Sequence, residues 1–322
     1  MKTLYIDCFS GISGDMFIGA MLDAGGDLHL LKEELSKLAI NGEYELKRET
    51  VVKNGITAVK FDVVLLPLSN ENAHEHEHSH EHAHDHSHSH VHTDSHEHTH
   101  EHVHTHSHTH THEHDLSHNH EHSHSHDHSH DHIHNHNHDH HYDHHSHDGH
   151  HHHDHRAYKD ITRLIEDSIL EDKVKQMALS IFRKIGEAES KIHGIPLEHV
   201  HFHEVGAVDS IVDIVGAAIL IHQLQISKVI CSSVPVGMGK IRIDHGIYPV
   251  PAPATLEMLK GIPIEQSHIR GELTTPTGAA IVSVLAESFG PLPSLSITSI
   301  GYGAGTKTFP EQPNVLRVMI GE

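Results

Sequence analysis

An α/β fold, a mixed sheet with flanking helices, is predicted by three features of the sequence. Short apolar runs alternate with period two, as in Thr3 to Cys8 and in the pair Tyr44 to Val52 and Thr57 to Leu66. Between such runs stand segments whose apolar residues recur at helical spacing, the longest from Glu171 to His193. Gly, Pro, Asn and Asp gather at the joints. One long stretch fits neither period. Residues 1–73 are therefore expected to open the α/β domain, 74–155 to form a disordered insert, and 156–322 to complete the domain.

The insert holds 41 of the chain's 49 histidines in 82 residues, alternating with Glu, Asp, Ser, Thr and Asn and free of Lys and Arg. Val91, Val103, Leu116 and Ile133 are scattered singly, too little apolar surface to offset the entropy of ordering the segment. Neutral imidazole ligates Ni, Zn, Cu and Fe, and strict alternation lets rings such as His76, His98, His120 and His140 gather ions in many interchangeable arrangements. Several ions, bound loosely and exchangeably, are expected. The segment is internal, long and irregular in its intervening residues, unlike a purification tag, and a solubilising spacer has no need of histidine at every second position.

Sixteen of the 45 acidic residues lie in the insert, leaving 29 against 22 Lys plus Arg, so the rest is a modestly acidic domain. That balance, without a basic cluster, argues against nucleic acid as a partner. The longest apolar run, Ile214 to Ile221, is too short to span a bilayer, so no membrane segment is expected. Cys8 and Cys231 offer no disulfide framework and fit a reducing compartment, which predicts a cytoplasmic location. With Trp absent and few aromatics, the core must be aliphatic.

Taken in order, Thr3 to Cys8 leads through Phe9-Ser10-Gly11-Ile12-Ser13-Gly14 into a helix opened by Asp15 and ended near Gly25-Gly26. Such a loop offers backbone N–H groups and hydroxyls where the helix dipole favours anions, making Ser10, Gly11, Ser13, Gly14 and Asp15 candidate binding residues; a tight turn with a Ser or Asp cap explains them equally well. Asp7 and Asp15 could together face a metal or a substrate hydroxyl. A second helix spans Leu28 to Leu38, and Asn54-Gly55 fits a type I′ turn between the two following strands. Pro67 ends that hairpin, and the insert then occupies a loop, where added length costs the fold little. Asp160 is the expected N-cap of a helix at Ile161 to Asp167, and Gly194 the stop of the helix ending at His193. Val229 to Val236 reads as a buried strand, with Ile241 to Ile243 continuing the sheet and a short helix at Ala254 to Leu259. In Thr274-Thr275-Pro276-Thr277-Gly278, Thr275 is the expected N-cap and Pro276 the first helical residue; Thr275, Thr277 and Gly278 form a second candidate anion site, or simply a cap. Leu295 to Ile300 and Val315 to Ile320 read as final strands joined by a loop at Gly301 to Gly305.

The most informative of the remaining segments is Glu198-His199-Val200-His201-Phe202-His203-Glu204-Val205-Gly206, followed by Asp209-Ser210-Ile211-Val212-Asp213. If Glu198 to Val205 is extended, His199, His201 and His203 share one face while Val200 and Phe202 pack on the other. Asp209 and Asp213, four apart, lie on one side of a nearly all-apolar helix, where a carboxylate must be paired or coordinate something. His199, His201, His203, Asp209 and Asp213 are thus candidate metal ligands. Polar strand residues, an Asp209 cap and an Asp213 bond to nearby backbone form the alternative.

These segments, together with Asp7-Cys8-Phe9-Ser10-Gly11-Ile12-Ser13-Gly14-Asp15-Met16 and Gly271-Glu272-Leu273-Thr274-Thr275-Pro276-Thr277-Gly278, resemble the LarC nickel-insertion proteins. So does the placement of a histidine-rich insert between a hairpin and a helix. The resemblance implies insertion of Ni2+ into pyridinium-3,5-bisthiocarboxylic acid mononucleotide, with CTP hydrolysed to CMP, to make the nickel-pincer cofactor of lactate racemase-type enzymes. That is a CTP-dependent nickel chelatase of the lyase class. It further implies a CTP site, with its divalent metal, on a C-terminal domain supplied in cis or in trans. This chain ends at Glu322, near the end of the family's N-terminal part, so activity on its own is not expected. The implied partners are the mononucleotide substrate, the C-terminal domain, an apo nickel-pincer enzyme such as lactate racemase, and further copies of the chain in a homo-oligomer. A metal–carbon bond at an aromatic C–H position needs a base beside bound nickel, and His201, His203 and Glu204 are the candidates to divide ligand and catalytic base roles. The anionic substrate is expected at the two helix starts, helped by Lys240, Arg242 or Arg270. The rival expectation is a nickel storage or delivery protein without catalysis of its own. A metal-dependent hydrolase on His201, His203 and Asp209 lacks obvious further ligands.

Overall fold

The computed structural model describes residues 1–66, 156–202, 205–243 and 245–322. The histidine-rich insert, with His76, His98, His120 and His140, lies outside the described residues, as do His203 and Glu204. In chain order the elements are β1 (Thr3–Asp7), α1 (Gly14–Asp23), α2 (Leu28–Leu35), β2 (Tyr44–Lys53), β3 (Ile56–Leu65), α3 (Tyr158–Glu166), α4 (Asp172–His193), a 3-10 turn (Leu197–His199) and α5 (Val208–Gln223). There follow β4 (Lys228–Cys231), β5 (Val234–Pro235), β6 (Gly237–Met238), β7 (Lys240–Ile243), β8 (Gly246–Pro249), α6 (Pro253–Met258), β9 (Ile264–Glu265), β10 (Gly271–Glu272), α7 (Pro276–Leu285), β11 (Ser288–Phe289), β12 (Ile297–Ala304) and β13 (Val315–Gly321).

Seven strands form one sheet in the order β11-β4-β1-β13-β12-β3-β2. It is mixed, as the sequence predicts: β1 runs parallel to β4 and antiparallel to β13, and β12 runs parallel to β3. The β2–β3 hairpin turns at Asn54 and Gly55, whose φ values of 47° and 85° are those a type I′ turn demands. Helix α1 packs on β12 and β3, α5 on α1 and α4, and α4 on α6 and α7. The core is aliphatic with four fully buried rings, Phe17, Phe61, Phe182 and Phe202. Cys8 and Cys231 are free buried thiols whose sulfurs lie 3.6 Å apart.

Four expected elements differ. The strand at Val229 to Val236 breaks after Cys231, and Val234–Pro235 leaves the main sheet to pair with β9; a proline cannot donate to a central ladder. Ile241 to Ile243 belongs to a separate hairpin, β7–β8. Gly301 to Ala304 is strand rather than loop. A Cβ on Gly303 would lie 1.8 Å from the Met16 carbonyl oxygen, and one on Gly301 2.0 Å from that of Ala20, so these glycines let α1 lie directly on β12. Finally, Asp160 sits in the first turn of α3 rather than capping it, its carboxylate accepting from the Ala157 N–H at 3.3 Å.

The residues flanking the insert meet at one glutamate. The Leu66 N–H donates to the Glu43 carbonyl at 2.8 Å, and Arg156 Nη2 donates to both Glu43 carboxylate oxygens, each at 2.8 Å. From Arg156 the chain zips onto the His201 segment. Arg156 N–H donates to Gly206, Ala157 bridges to His201, and Tyr158 N–H donates to Val200 at 2.9 Å.

Candidate functional site

The loop after β1 and the loop before α7 are laced together. Ile12 donates to the Leu273 carbonyl at 3.1 Å and accepts from Thr275 N–H at 3.0 Å. Gly11 has φ +91°, and a Cβ there would meet the Leu273 oxygen at 2.0 Å; a Cβ on Gly278 would meet the Ile12 oxygen at 2.1 Å. Both glycines serve this close backbone approach. Ser10 is buried, its hydroxyl donating to the Pro313 carbonyl at 2.6 Å. Of the loop residues expected to bind, Ser10, Gly11 and Gly278 therefore build the frame, whereas Ser13, Gly14, Asp15, Thr275 and Thr277 line a cleft of about 390 Å³.

Three helices begin at that cleft. Ser13 to Asp15 come from the start of α1, Thr275 to Thr277 from the start of α7, and Asp209 and Ser210 from the first turn of α5, with Asp213 one turn further on. Their N-terminal dipoles favour negative charge. Thr275 also caps α7, accepting from Gly278 N–H at 3.2 Å. Asp62, Val63, Val205, Glu272 and Thr306 complete the lining. Lys60 anchors the rim, 2.8 Å from Asp15 and 2.6 Å from Asp62, while Ser13 donates its hydroxyl to Asp15. Burial pulls the Lys60 ammonium down, but the two carboxylates more than offset this and hold it above its ordinary value.

Asp213 is the outlier of the set. Its Oδ1 has neither solvent contact nor a hydrogen-bond partner among the described residues, and a Cβ on Gly14 would stand 2.4 Å from its Oδ2. Burial, then the negative charges of Asp15 and Asp209, push its carboxyl well above the ordinary carboxylate range. It therefore keeps a proton more readily than an ordinary carboxyl does. A desolvated carboxyl lining a cleft is the kind of group that exchanges protons or binds a cation.

The remaining expected residues fall elsewhere. Leu197–His199 is a 3-10 turn begun at Pro196, which takes His199 out of the expected extended face. Val200 is extended, His201 bridges to Ala157, Val200 and Phe202 are buried, and His203 lies outside the described residues. His199 and His201 are exposed and do not line the cleft. Asp209 accepts from Ser210 N–H at 2.8 Å. Asp7 is an ion-pair partner of Arg317 across β1 and β13 rather than a companion of Asp15. Lys240, Arg242 and Arg270 are not among the lining residues. Lys60 and Asp62 went unmarked in the sequence, although two charges at alternate positions of one strand carry a signal.

The fold and cleft define an α/β protein that gathers hydroxyls and carboxylates at the starts of three helices. The chain matches the family model described as nickel insertion protein over residues 4–322, and it belongs to that family. It is 45% identical over its whole length to the pyridinium-3,5-bisthiocarboxylic acid mononucleotide nickel insertion protein of Geobacillus kaustophilus, covering 60% of that relative. Proteins of the same name from Clostridium kluyveri and Staphylococcus epidermidis are 44% and 38% identical, the chain covering 62% and 59% of their lengths. The chain thus spans about three-fifths of the curated relatives it matches. No solved structure matches it. Among the described residues no helix is long and apolar enough to cross a membrane.

Proposed function

We propose that this chain carries the nickel-inserting half of a cytoplasmic, CTP-dependent enzyme acting on pyridinium-3,5-bisthiocarboxylic acid mononucleotide. The observation that carries this reading is the Asp213 carboxyl, whose buried Oδ1 has no hydrogen-bond partner among the described residues, in a cleft where three helices begin. The helix starts of α1 and α7 suit the substrate's phosphate and thiocarboxylates. Nickel is a substrate here, offered oxygen donors by Asp15 and Asp209. When it is inserted, the electron pair of the ring C–H bond becomes the C–Ni bond, and the proton passes to a base. Asp213 suits that duty because its surroundings favour the protonated form. His203 and Glu204 immediately precede Val205, which lines the cleft, and they stay in the proposal as nickel donors or alternative base. CTP and its divalent metal are assigned to the part of the relatives that this chain does not span, and the product to an apo enzyme of the lactate racemase type.

The test is Asp213→Asn in a protein of the relatives' full length, supplied with nickel, substrate and CTP, with the nickel-bearing mononucleotide measured by mass spectrometry. Formation at least about 100-fold slower, with substrate still bound, is expected; a wild-type rate overturns the assignment. The rival, a storage protein, rests on the 41 histidines between 74 and 155. If that reading holds, replacing those histidines by Asn abolishes all stoichiometric nickel binding, and no cofactor forms even at saturating nickel.

A further inference from the structure

Pro276 lines the cleft and also a second, smaller cavity, of about 50 Å³, shared by Glu189, His193, His245, Tyr248 and Pro253. Glu189 and His193 are one turn apart in the last turns of α4, with Glu189 Oε2 and His193 Nε2 3.2 Å apart. His245 stands at the turn of the β7–β8 hairpin, its ring centroid 5.0 Å from that of His193 and the planes inclined at 59°. Two donors on one ion, each bonded at about 2.0–2.1 Å, are separated by about 2.9–3.4 Å, and two imidazoles on one ion have centroids about 4.5–5.2 Å apart. Both observed spacings fall in these windows. As placed, no three His, Cys, Asp or Glu groups among the described residues meet at ligating distance. His245 must therefore swing inward, and its hairpin, a two-stranded sheet of its own, has no wider ladder to break in doing so.

We propose that Glu189, His193 and His245 form a second metal site, two imidazoles and one carboxylate taking a borderline divalent cation such as Ni2+ and holding it beside the cleft. Imidazole selects such ions over Mg2+ and Ca2+. His193 also lies at the C-terminus of α4, a 22-residue helix whose dipole there favours positive charge. That nickel is the ion in service rests on the function proposed above; that the trio binds an ion of this class does not.

Both histidines are exposed, so they are open to diethyl pyrocarbonate, and peptide mass spectrometry reads each one separately in the intact chain. Titration with Ni2+ is expected to protect His193 and His245 together, with one midpoint and at least about 10-fold at saturation, whereas Mg2+ protects neither. Because the histidine-rich insert is expected to take up nickel as well, the decisive reading is interdependence: His193→Asn must remove the protection of His245, and Glu189→Gln must weaken that of both. Circular dichroism confirms that each variant is folded, and Glu189→Gln changes shape least should His193→Asn perturb α4. Protection of His245 that survives His193→Asn, or full reactivity of His245 at saturating nickel, overturns the site. Failure here with an inactive Asp213→Asn leaves the proposed function standing, and an intact footprint with an active Asp213→Asn does the reverse.

Discussion

The cleft and the Glu189–His193–His245 cavity share Pro276 but offer different side-chain donors. The cleft collects the starts of α1, α5 and α7, which suit an anion, and fills the space between them with carboxylates for a cation. The smaller cavity takes the end of α4 beside the starts of α6 and α7, and offers imidazoles. Side chains rather than helix ends set the two apart: the cleft is lined by carboxylates and hydroxyls, the smaller cavity by two imidazoles and one carboxylate.

The strongest way to break the contrast is Asp213→Asn, already expected to slow insertion by at least about 100-fold. The same variant should change stability with a definite sign. In the folded state the Asp213 carboxyl is held above its ordinary value, so the folded chain keeps a proton that the unfolded chain gives up. Stability from this group is greatest below the unfolded value of about 3.9 and falls as pH rises toward the folded one. Urea midpoints of parent and Asp213→Asn should therefore diverge as pH rises from about 4, in favour of the variant. Divergence in the other direction removes the buried carboxyl from the account.

Next in size is Gly14→Ala, whose methyl would stand 2.4 Å from Asp213 Oδ2 and 2.6 Å from its Cβ. A loss of about 1–3 kcal/mol in urea denaturation is expected. Most of it should be restored in the Gly14→Ala, Asp213→Ala double variant, since both changes act on one contact. Thr275→Ala removes the cap of α7 and should cost about 1 kcal/mol, leaving the hairpin cavity's footprint unchanged. The smallest effect is expected of Glu43→Ala, which breaks a partly exposed ion pair with Arg156 and should cost about 0.2–1 kcal/mol.

Much of the cleft was readable because local chemistry made it. Ser13, Gly14 and Asp15, and Thr275 with Pro276, carry their message in the order of small, hydroxyl and acidic residues at a helix start, and a helix start needs no tertiary partner to be recognised. Asp213 announced itself as a charge among Ile and Val. The His199, His201 and His203 alternation placed His199 wrongly because Pro196 starts a turn through it, whereas Phe202 is buried as expected, with the rings of Tyr158 and Phe182 at centroid distances of 6.2 and 6.4 Å. Lys60, Asp62 and Thr306 are joined to the cleft only by sheet order, β12 beside β3, which pattern alone does not specify. Glycines 301 and 303 read as a loop because glycine marks both turns and places where a helix touches a strand. Glu189 and His193, four apart on one helix, went unmarked in the sequence, and their meeting with His245 depends on where a hairpin folds back.

The clasp at Glu43 bears on how this chain could change over time. Because Leu66 and Arg156 are fastened to the same glutamate, the sheet closes there whatever number of residues runs between them. Histidine dipeptides can then be copied or lost in that interval with the Glu43 clasp left alone, and, if the insert takes up metal as its sequence leads one to expect, each step alters how much. Capacity and chemistry become separately heritable, so one lineage could tune its reserve to scarcity while another trims it away.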